Sequence, residues 1–222
     1  MSLVPLEFNP EVMTQMLHKL GVPKKWNMVD VYGLDPDSLA ILMKPVLAMI
    51  LLYPQTDEQE AAENSKHPDT NVSPNIYFLK QFLSNACGTI ALIHSVANNL
   101  DAIELQDGFL KFFFENTKNL SSVERGELLL KAEDLIEIHK ELSQEGQSTV
   151  PSEDEPVLHH FVAFVQKDGH IYELDGRKTS PVNHGNSAPA SFLENVARVC
   201  QEYMQRDPNE IRYTMVALVP AE

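Results

Sequence analysis

Apolar positions along the chain switch between helical and strand spacing. From Asn9-Pro10-Glu11 onward, Val12, Met13, Met16, Leu17 and Leu20 recur every three or four residues, and Gly21 and Pro23 follow, which predicts a capped first helix. Met28 to Tyr32 alternates apolar with polar before Gly33, the mark of an edge or half-buried strand. Val46 to Leu52 is apolar on both faces and stops before Pro54, as a central strand does. The polar stretch Thr56 to Ser73 reads as a surface excursion with at most a short helix. A long apolar helix then starts with Asn85 to His94 and reaches about Asn98, with Asn85 as its cap. Three further helical patterns, Leu105 to Glu115, Ser122 to Leu130 and Ala132 to Leu142, keep their charges on one side. Ser143 to Pro156 contains two prolines, a cluster of acids and a single apolar residue, so it predicts a mobile loop. His159 to Gln166 and His170 to Leu174 are β-rich runs joined at Lys167-Asp168-Gly169, which predicts a hairpin. Ser191 to Gln205 reads as a helix and Ile211 to Val219 as a last strand. Helices first interleave with strands and then flank an antiparallel sheet, an α+β order rather than a βαβ series.

Composition narrows the class. With 222 residues, 43% hydrophobic and 22% charged, the chain suits one globular domain over 1–222. Lys and Arg number 17 against 32 Asp and Glu, a net charge of −15. Nucleic acid and anionic membrane are therefore poor partners, a ligand bearing Arg or Lys is favoured, and a monomer is expected. Two cysteines, Cys87 and Cys200, make no disulfide framework and fit a reducing compartment. The start carries no basic secretory signal, and the Val46–Tyr53 run falls well short of the roughly 20 residues that span a bilayer. Cytoplasm or nucleus is the expected location.

The common phosphate-loop, dinucleotide, zinc and serine-nucleophile signatures do not occur, and no cofactor or metal is expected. What remains is a cysteine at the first turn of an apolar helix, where unpaired N–H groups and the helix dipole favour thiolate. Cys87 is thus a candidate nucleophile, against the commoner reading of an inert core cysteine. Gln81 lies just upstream, and its amide together with the Cys87 N–H would make an oxyanion hole. The hairpin supplies a base. A Lys167-Asp168 turn puts His160 directly opposite Asp175, an Asp168-Gly169 turn leaves them diagonal on one face, and a three-residue turn separates them. An imidazole oriented by a carboxylate can take the thiol proton and later protonate a leaving amine, but surface His and Asp residues also pair across hairpins with no such role.

The blocks Gln81-Phe-Leu-Ser-Asn-Ala-Cys-Gly-Thr-Ile-Ala-Leu-Ile-His94, His160-Phe161, Tyr172-Glu-Leu-Asp-Gly-Arg177 and Pro181-Val-Asn-His-Gly185 resemble the signatures of the ubiquitin C-terminal hydrolase family of cysteine proteases. The resemblance runs from Pro5-Leu6-Glu7 through Val29-Asp-Val-Tyr-Gly33 to Arg206-Asp207-Pro208, and its length is similar to the small single-domain members of the isozyme L3 type. It implies Cys87 as nucleophile, Gln81 as oxyanion stabiliser, His160 as base then acid, and Asp175 as its orienter. It also implies a papain-like core, a central antiparallel sheet between helices, a knotted chain path, and a crossover loop at about 143–157 that restricts what leaves the site. Pro5, Leu6, Glu11, Asp30, Val157 and His159 are the positions it offers for holding ubiquitin. The implied reaction is removal of small or unstructured adducts from the C-terminal glycine of ubiquitin, and of Nedd8, through a thioester. The alternative is a protein that sequesters ubiquitin with little turnover.

His159 departs from the family, whose members generally carry an apolar residue there; in a strand it faces away from His160. His94 is expected to be packed or hydrogen-bonded, His184 to lie in a loop, and His18, His67, His139 and His170 to be exposed. Cys200 is expected in the core, and the acids Glu153, Asp154 and Glu155 in solvent.

Overall fold

The computed structural model describes residues 3–56, 61, 69–145 and 159–221. Among them one six-stranded sheet runs antiparallel throughout: β1 (Trp26–Asp30), β2 (Ala48–Pro54), β3 (His159–Lys167), β4 (His170–Leu174), β5 (Val182–Asn186) and β6 (Thr214–Pro220), in the order β1-β6-β2-β3-β4-β5. The half-buried first strand is indeed at an edge, and the doubly apolar β2 lies inside, between β6 and β3.

Among the described residues, α-helices accompany the sheet: α1 (Pro10–Lys19), α2 (Pro36–Ala40), α3 (Cys87–Ala97), α4 (Phe109–Thr117), α5 (Ser122–Leu129), α6 (Glu133–Leu142) and α7 (Phe192–Arg206). Alternation along the strands divides the core in two. Phe161, Ala163 and Val165 of β3 pack with α1, α3 and α4–α6, whereas Val162 and Phe164 face α2 and α7. Helix α3 is buried along nearly its whole length, as its uniformly apolar sequence requires. Helix α1 starts where expected, Asn9 Oδ1 accepting from the N–H groups of Glu11 and Val12.

Several expectations need correction. Asn85 does not cap α3: its φ is +62°, its Nδ2 donates to Leu3 O at 2.9 Å, and Ala86 occupies the cap position without a side-chain bond. The segment holding His184 is a strand, β5, rather than a loop. His139 is fully buried and His18 and His170 are half-buried, so none of the three is an exposed residue. Helix α2 and β5 were not anticipated; α2 is built by Asp35, whose Oδ1 accepts from Asp37 N and Ser38 N, with Pro36 at the first helical position. Most of the Thr56–Ser73 excursion, His67, and the crossover segment from 146 with Glu153, Asp154, Glu155 and Val157 lie outside the described residues.

Candidate active site

The hairpin decides the site's geometry. Lys167 pairs with His170, so Asp168 and Gly169 form the two-residue turn, both with positive φ (+48° and +78°). This is the diagonal register: His160 and Asp175 share one parity and close on each other, with His160 Nε2 donating to Asp175 Oδ1 at 2.8 Å. Arg177 N donates to the same oxygen at 2.9 Å, which curls the turn after β4 toward β3. Because an ionised carboxylate only accepts, Nε2 carries the proton, and the other ring nitrogen, Nδ1, is left facing the reaction.

Cys87 opens α3, one residue before Gly88. A Cβ at Gly88 would stand 3.3 Å from two ring carbons of Phe161, so the small residue lets β3 press against the helix start. His160 immediately precedes Phe161, and its ring interacts with the Cys87 thiol, although Nδ1 makes no hydrogen bond of good geometry. Apo catalytic contacts are often loose in this way. Cys87, His160 and Asp175 are all buried. Burial opposes the Cys87 thiolate, but the His160 ring, the Phe161 backbone and the Arg177 guanidinium outweigh it and hold the thiol below its ordinary pKa. Burial likewise disfavours imidazolium at His160, yet Asp175 and Cys87 raise its pKa to about 9. Asp175 stays below the usual carboxylate range despite burial, through His160 and the Arg177 N–H. The side chains therefore favour a thiolate–imidazolium pair backed by a carboxylate.

Gln81 reaches this corner through the turn after Asp175: Gln81 N donates to Gly176 O at 2.8 Å, and a Cβ at Gly176 would lie 2.9 Å from Gln81 Cβ and 3.0 Å from Ile90 Cγ2 of α3. Its Nε2 spends one N–H on Leu83 O at 2.8 Å and keeps a second. Tyr53, opposite His160 in the β2–β3 ladder, meets the imidazole edge-on at 5.9 Å between centroids.

The other candidates scatter. Leu6 is buried against Gly88, in the wall beside Cys87 rather than on the surface. Pro5 is half-buried and Glu11 exposed in the first turn of α1. Asp30 lines an open groove of about 640 Å³ with Tyr32, Asp35, Met204 and Tyr213, far along the sheet from β4. His159 is half-buried, its pKa lowered by burial and by Arg212. His94 and Cys200 are packed in the interior as expected, the Cys200 thiol pushed up to about 12 by burial and Glu173. Among the described residues no cluster could hold a metal ion, and no helix is long and apolar enough to cross a membrane. Sequence reasoning missed the buried pair Glu173–Lys178 beside Asp175 and the buried His139; five residues separate the first pair, but nothing in their spacing marks it.

A cysteine at a helix start, a histidine on a strand and an aspartate in the turn that closes the neighbouring antiparallel strand define a papain-like thiol hydrolase. The model of ubiquitin carboxyl-terminal hydrolase, family 1, matches residues 3–205, and the chain belongs to that family. A ubiquitin carboxyl-terminal hydrolase of Drosophila melanogaster is 45% identical, covering 100% of this chain and 99% of its own length. Isozyme L1 of Rattus norvegicus is 43% identical with full coverage of both chains. In solved structures, the catalytic domain of Trichinella spiralis UCH37 bound to ubiquitin vinyl methyl ester superposes with a TM-score of 0.79 at 25% identity, covering 99% of this chain and 96% of that one.

Proposed function

We propose that the protein is a deubiquitinating thiol hydrolase that cleaves small or unstructured adducts from the C-terminal glycine of ubiquitin and of Nedd8. The observation that carries this is the arrangement of His160, its Nε2 on Asp175 and its Nδ1 free of any hydrogen bond beside a Cys87 thiol at a helix start. The Cys87 thiolate attacks the glycine carbonyl, and the oxyanion receives N–H bonds from Gln81 Nε2 and the Cys87 backbone. His160 gives its proton to the departing amine, leaving a thioester. Water, deprotonated by His160, then attacks the thioester; the carboxylate leaves and the thiolate–imidazolium pair is restored.

The net charge of −15 steers the arginine-bearing tail of ubiquitin toward the enzyme, with exposed Glu11 and the Asp30 groove as local acceptors. The two free thiols fit a reducing compartment, cytoplasm or nucleus. The unbonded Nδ1 also fits a ubiquitin-sequestering protein whose triad turns over little. Release of a fluorophore from the C-terminus of ubiquitin, with Nedd8 bearing the same group and with Cys87→Ala, separates the readings. Rapid release lost in Cys87→Ala is expected; ubiquitin binding without release from the intact protein overturns hydrolysis, and no release from Nedd8 removes that substrate.

A further inference from the structure

A buried cluster of charges lies directly beside the Asp175 turn and takes no part in the chemistry above. Glu173, two residues before Asp175 on β4, is 1% exposed. Its Oε1 accepts from Lys178 Nζ at 2.6 Å and its Oε2 from His184 Nε2 of β5 at 2.8 Å. The rest of its surroundings is apolar or neutral: Phe164 is its partner on β3, Val182 its partner on β5, and Cys200 and Tyr203 of α7 stand against it. Lys178 is itself only 8% exposed. A buried ion pair is a weak source of net stability, because desolvation offsets most of the Coulomb attraction. What such a pair supplies well is a fixed geometry.

Glu173 and Lys178 bracket the catalytic carboxylate. Between them, Lys178 N donates to Asp175 O at 3.0 Å and Arg177 N to Asp175 Oδ1 at 2.9 Å. On the outer side, Lys80 Nζ donates to the carbonyls of Arg177 and Lys178, and Gln81 N to that of Gly176. The Lys178 side chain turns the other way, back to Glu173 on the α7 side of the sheet. The same layer continues to the imidazole: Tyr203 meets Tyr53 edge-on at 4.9 Å, and Tyr53 meets His160.

We propose that Glu173 and Lys178 are positioning residues for the hydrolase reaction: their buried ion pair clamps the Asp175–Lys178 turn so that the Asp175 carboxylate stays on His160 Nε2. The proposal rests on the roles given to Cys87, His160 and Asp175 above. It explains why a costly buried charge pair sits where neutral residues would pack. Asp175 follows the last residue of β4, so no strand pairing of its own holds it. Without the clamp the turn keeps its bonds from Lys80 and Gln81 but loses its tie on the α7 side, so the carboxylate shifts and the imidazolium that sustains the thiolate loses part of its counter-charge.

The test uses the full chain and two independent readouts: the pH midpoint of Cys87 alkylation by iodoacetamide, which needs no ubiquitin, and kcat and KM for fluorophore release from ubiquitin. Lys178→Met keeps the length and removes the charge. It is expected to raise the alkylation midpoint by about half to one pH unit and to lower kcat about ten- to hundredfold, with KM within about twofold. Lys178→Arg restores both. The double variant Glu173→Gln/Lys178→Met leaves no unpaired charge, so its melting temperature returns toward that of the intact protein while the alkylation and kcat defects persist. A normal midpoint and kcat in Lys178→Met, or a defect that vanishes in the double variant as stability returns, overturns the proposal. An ordinary thiol midpoint in the intact protein overturns instead the thiolate–imidazolium reading, and the clamp with it.

Discussion

His160 and Asp175 meet at 2.8 Å although neither stands opposite the other in the sheet. The β3–β4 ladder pairs Ala163 with Leu174 and ends there; the contact is made by the turn that follows, where Arg177 N and His160 Nε2 converge on one carboxylate oxygen. That oxygen fixes the imidazole tautomer and its tilt. The contact between His160 and Asp175 thus depends on a turn rather than on strand register alone.

The pH profile follows from the three groups. The Cys87 thiol lies below its ordinary pKa and His160 is raised to about 9, so kcat/KM should rise through the depressed thiol pKa and fall again near pH 9 as His160 loses its proton. Stability shares the upper limb. A histidine whose folded pKa exceeds its unfolded 6.5 contributes stability that is complete below pH 6.5 and lost as pH rises through about 9. Initial rates from pH 5 to 10, with urea unfolding at the same points, check both; activity still rising at pH 10 contradicts the assignment.

Asp175→Asn keeps the shape of the carboxylate and removes its charge. Imidazolium then loses its main support, so the alkaline limb should move down from about 9 and kcat/KM should drop on the order of 10²- to 10⁴-fold with KM little changed. A variant with normal kcat shows that His160 needs no orienting charge.

The site was legible in the sequence where chemistry and local turn rules coincide. Cys87 before Gly88 marks a helix start, whereas Lys167-Asp168-Gly169 marks a turn without fixing its register, which the positive φ of Asp168 and Gly169 in the structure selects as the diagonal one. What escaped depends on contacts between distant segments. His139 looks like a polar residue on a charged helix, but its Nε2 donates to Val4 O at 2.7 Å, 135 residues away, and its Nδ1 accepts from Thr89 Oγ1 at 2.7 Å. Strand β5, Val-Asn-His-Gly-Asn, has poor strand propensity; it forms because β4 supplies an edge, and because Asp69 accepts from Asn183 N and Glu173 from His184. Asn85 has the residue type of a cap, yet its amide is spent on Leu3 O. In each case the deciding partner is remote in sequence, and no local pattern records it.

Gly176 separates Asp175 from Gln81, and the gap it fills admits no methyl group. Its added Cβ would lie 2.9 Å from Gln81 Cβ and 3.0 Å from Ile90 Cγ2, atoms on or near the backbone that cannot swing away. Gly176→Ala should therefore cost about 1–3 kcal/mol in stability and displace both neighbours. Gln81→Ala, which removes a donor without crowding, should cost about 2.7–4 kcal/mol in transition-state stabilisation and leave stability nearly unchanged. Comparing kcat with the urea midpoint in the two variants separates the effects, and near-normal turnover in Gln81→Ala ends its role as oxyanion donor.

Acid should begin to weaken the fold from about pH 6.5 downward, ahead of the range where ordinary carboxylates are protonated. Burial lowers the His94 pKa from 6.5 to about 4; its Nε2 accepts from Leu79 N at 3.1 Å and its ring stacks on Phe78. Burial also lowers His139, which accepts from Thr89. For a histidine whose folded pKa lies below its unfolded value, the unfolded chain takes the proton first, so stability falls as pH drops from 6.5 toward the folded pKa. His94 alone would account for up to roughly 3 kcal/mol over that interval. His160 adds no slope there, because its change lies between 6.5 and about 9. The global charge pushes the other way: from −15, added protons relieve self-repulsion and by themselves would stabilise the compact state. A urea midpoint already lower at pH 5.5 than at pH 7, above the range where ordinary carboxylates take protons, identifies the buried histidines as the cause. In His139→Phe the drop should shrink, while stability at pH 7 falls by about 2–4 kcal/mol because Val4 O and the Thr89 hydroxyl lose their partner. Equal midpoints at the two pH values in the intact protein would show that these rings are not held neutral by burial.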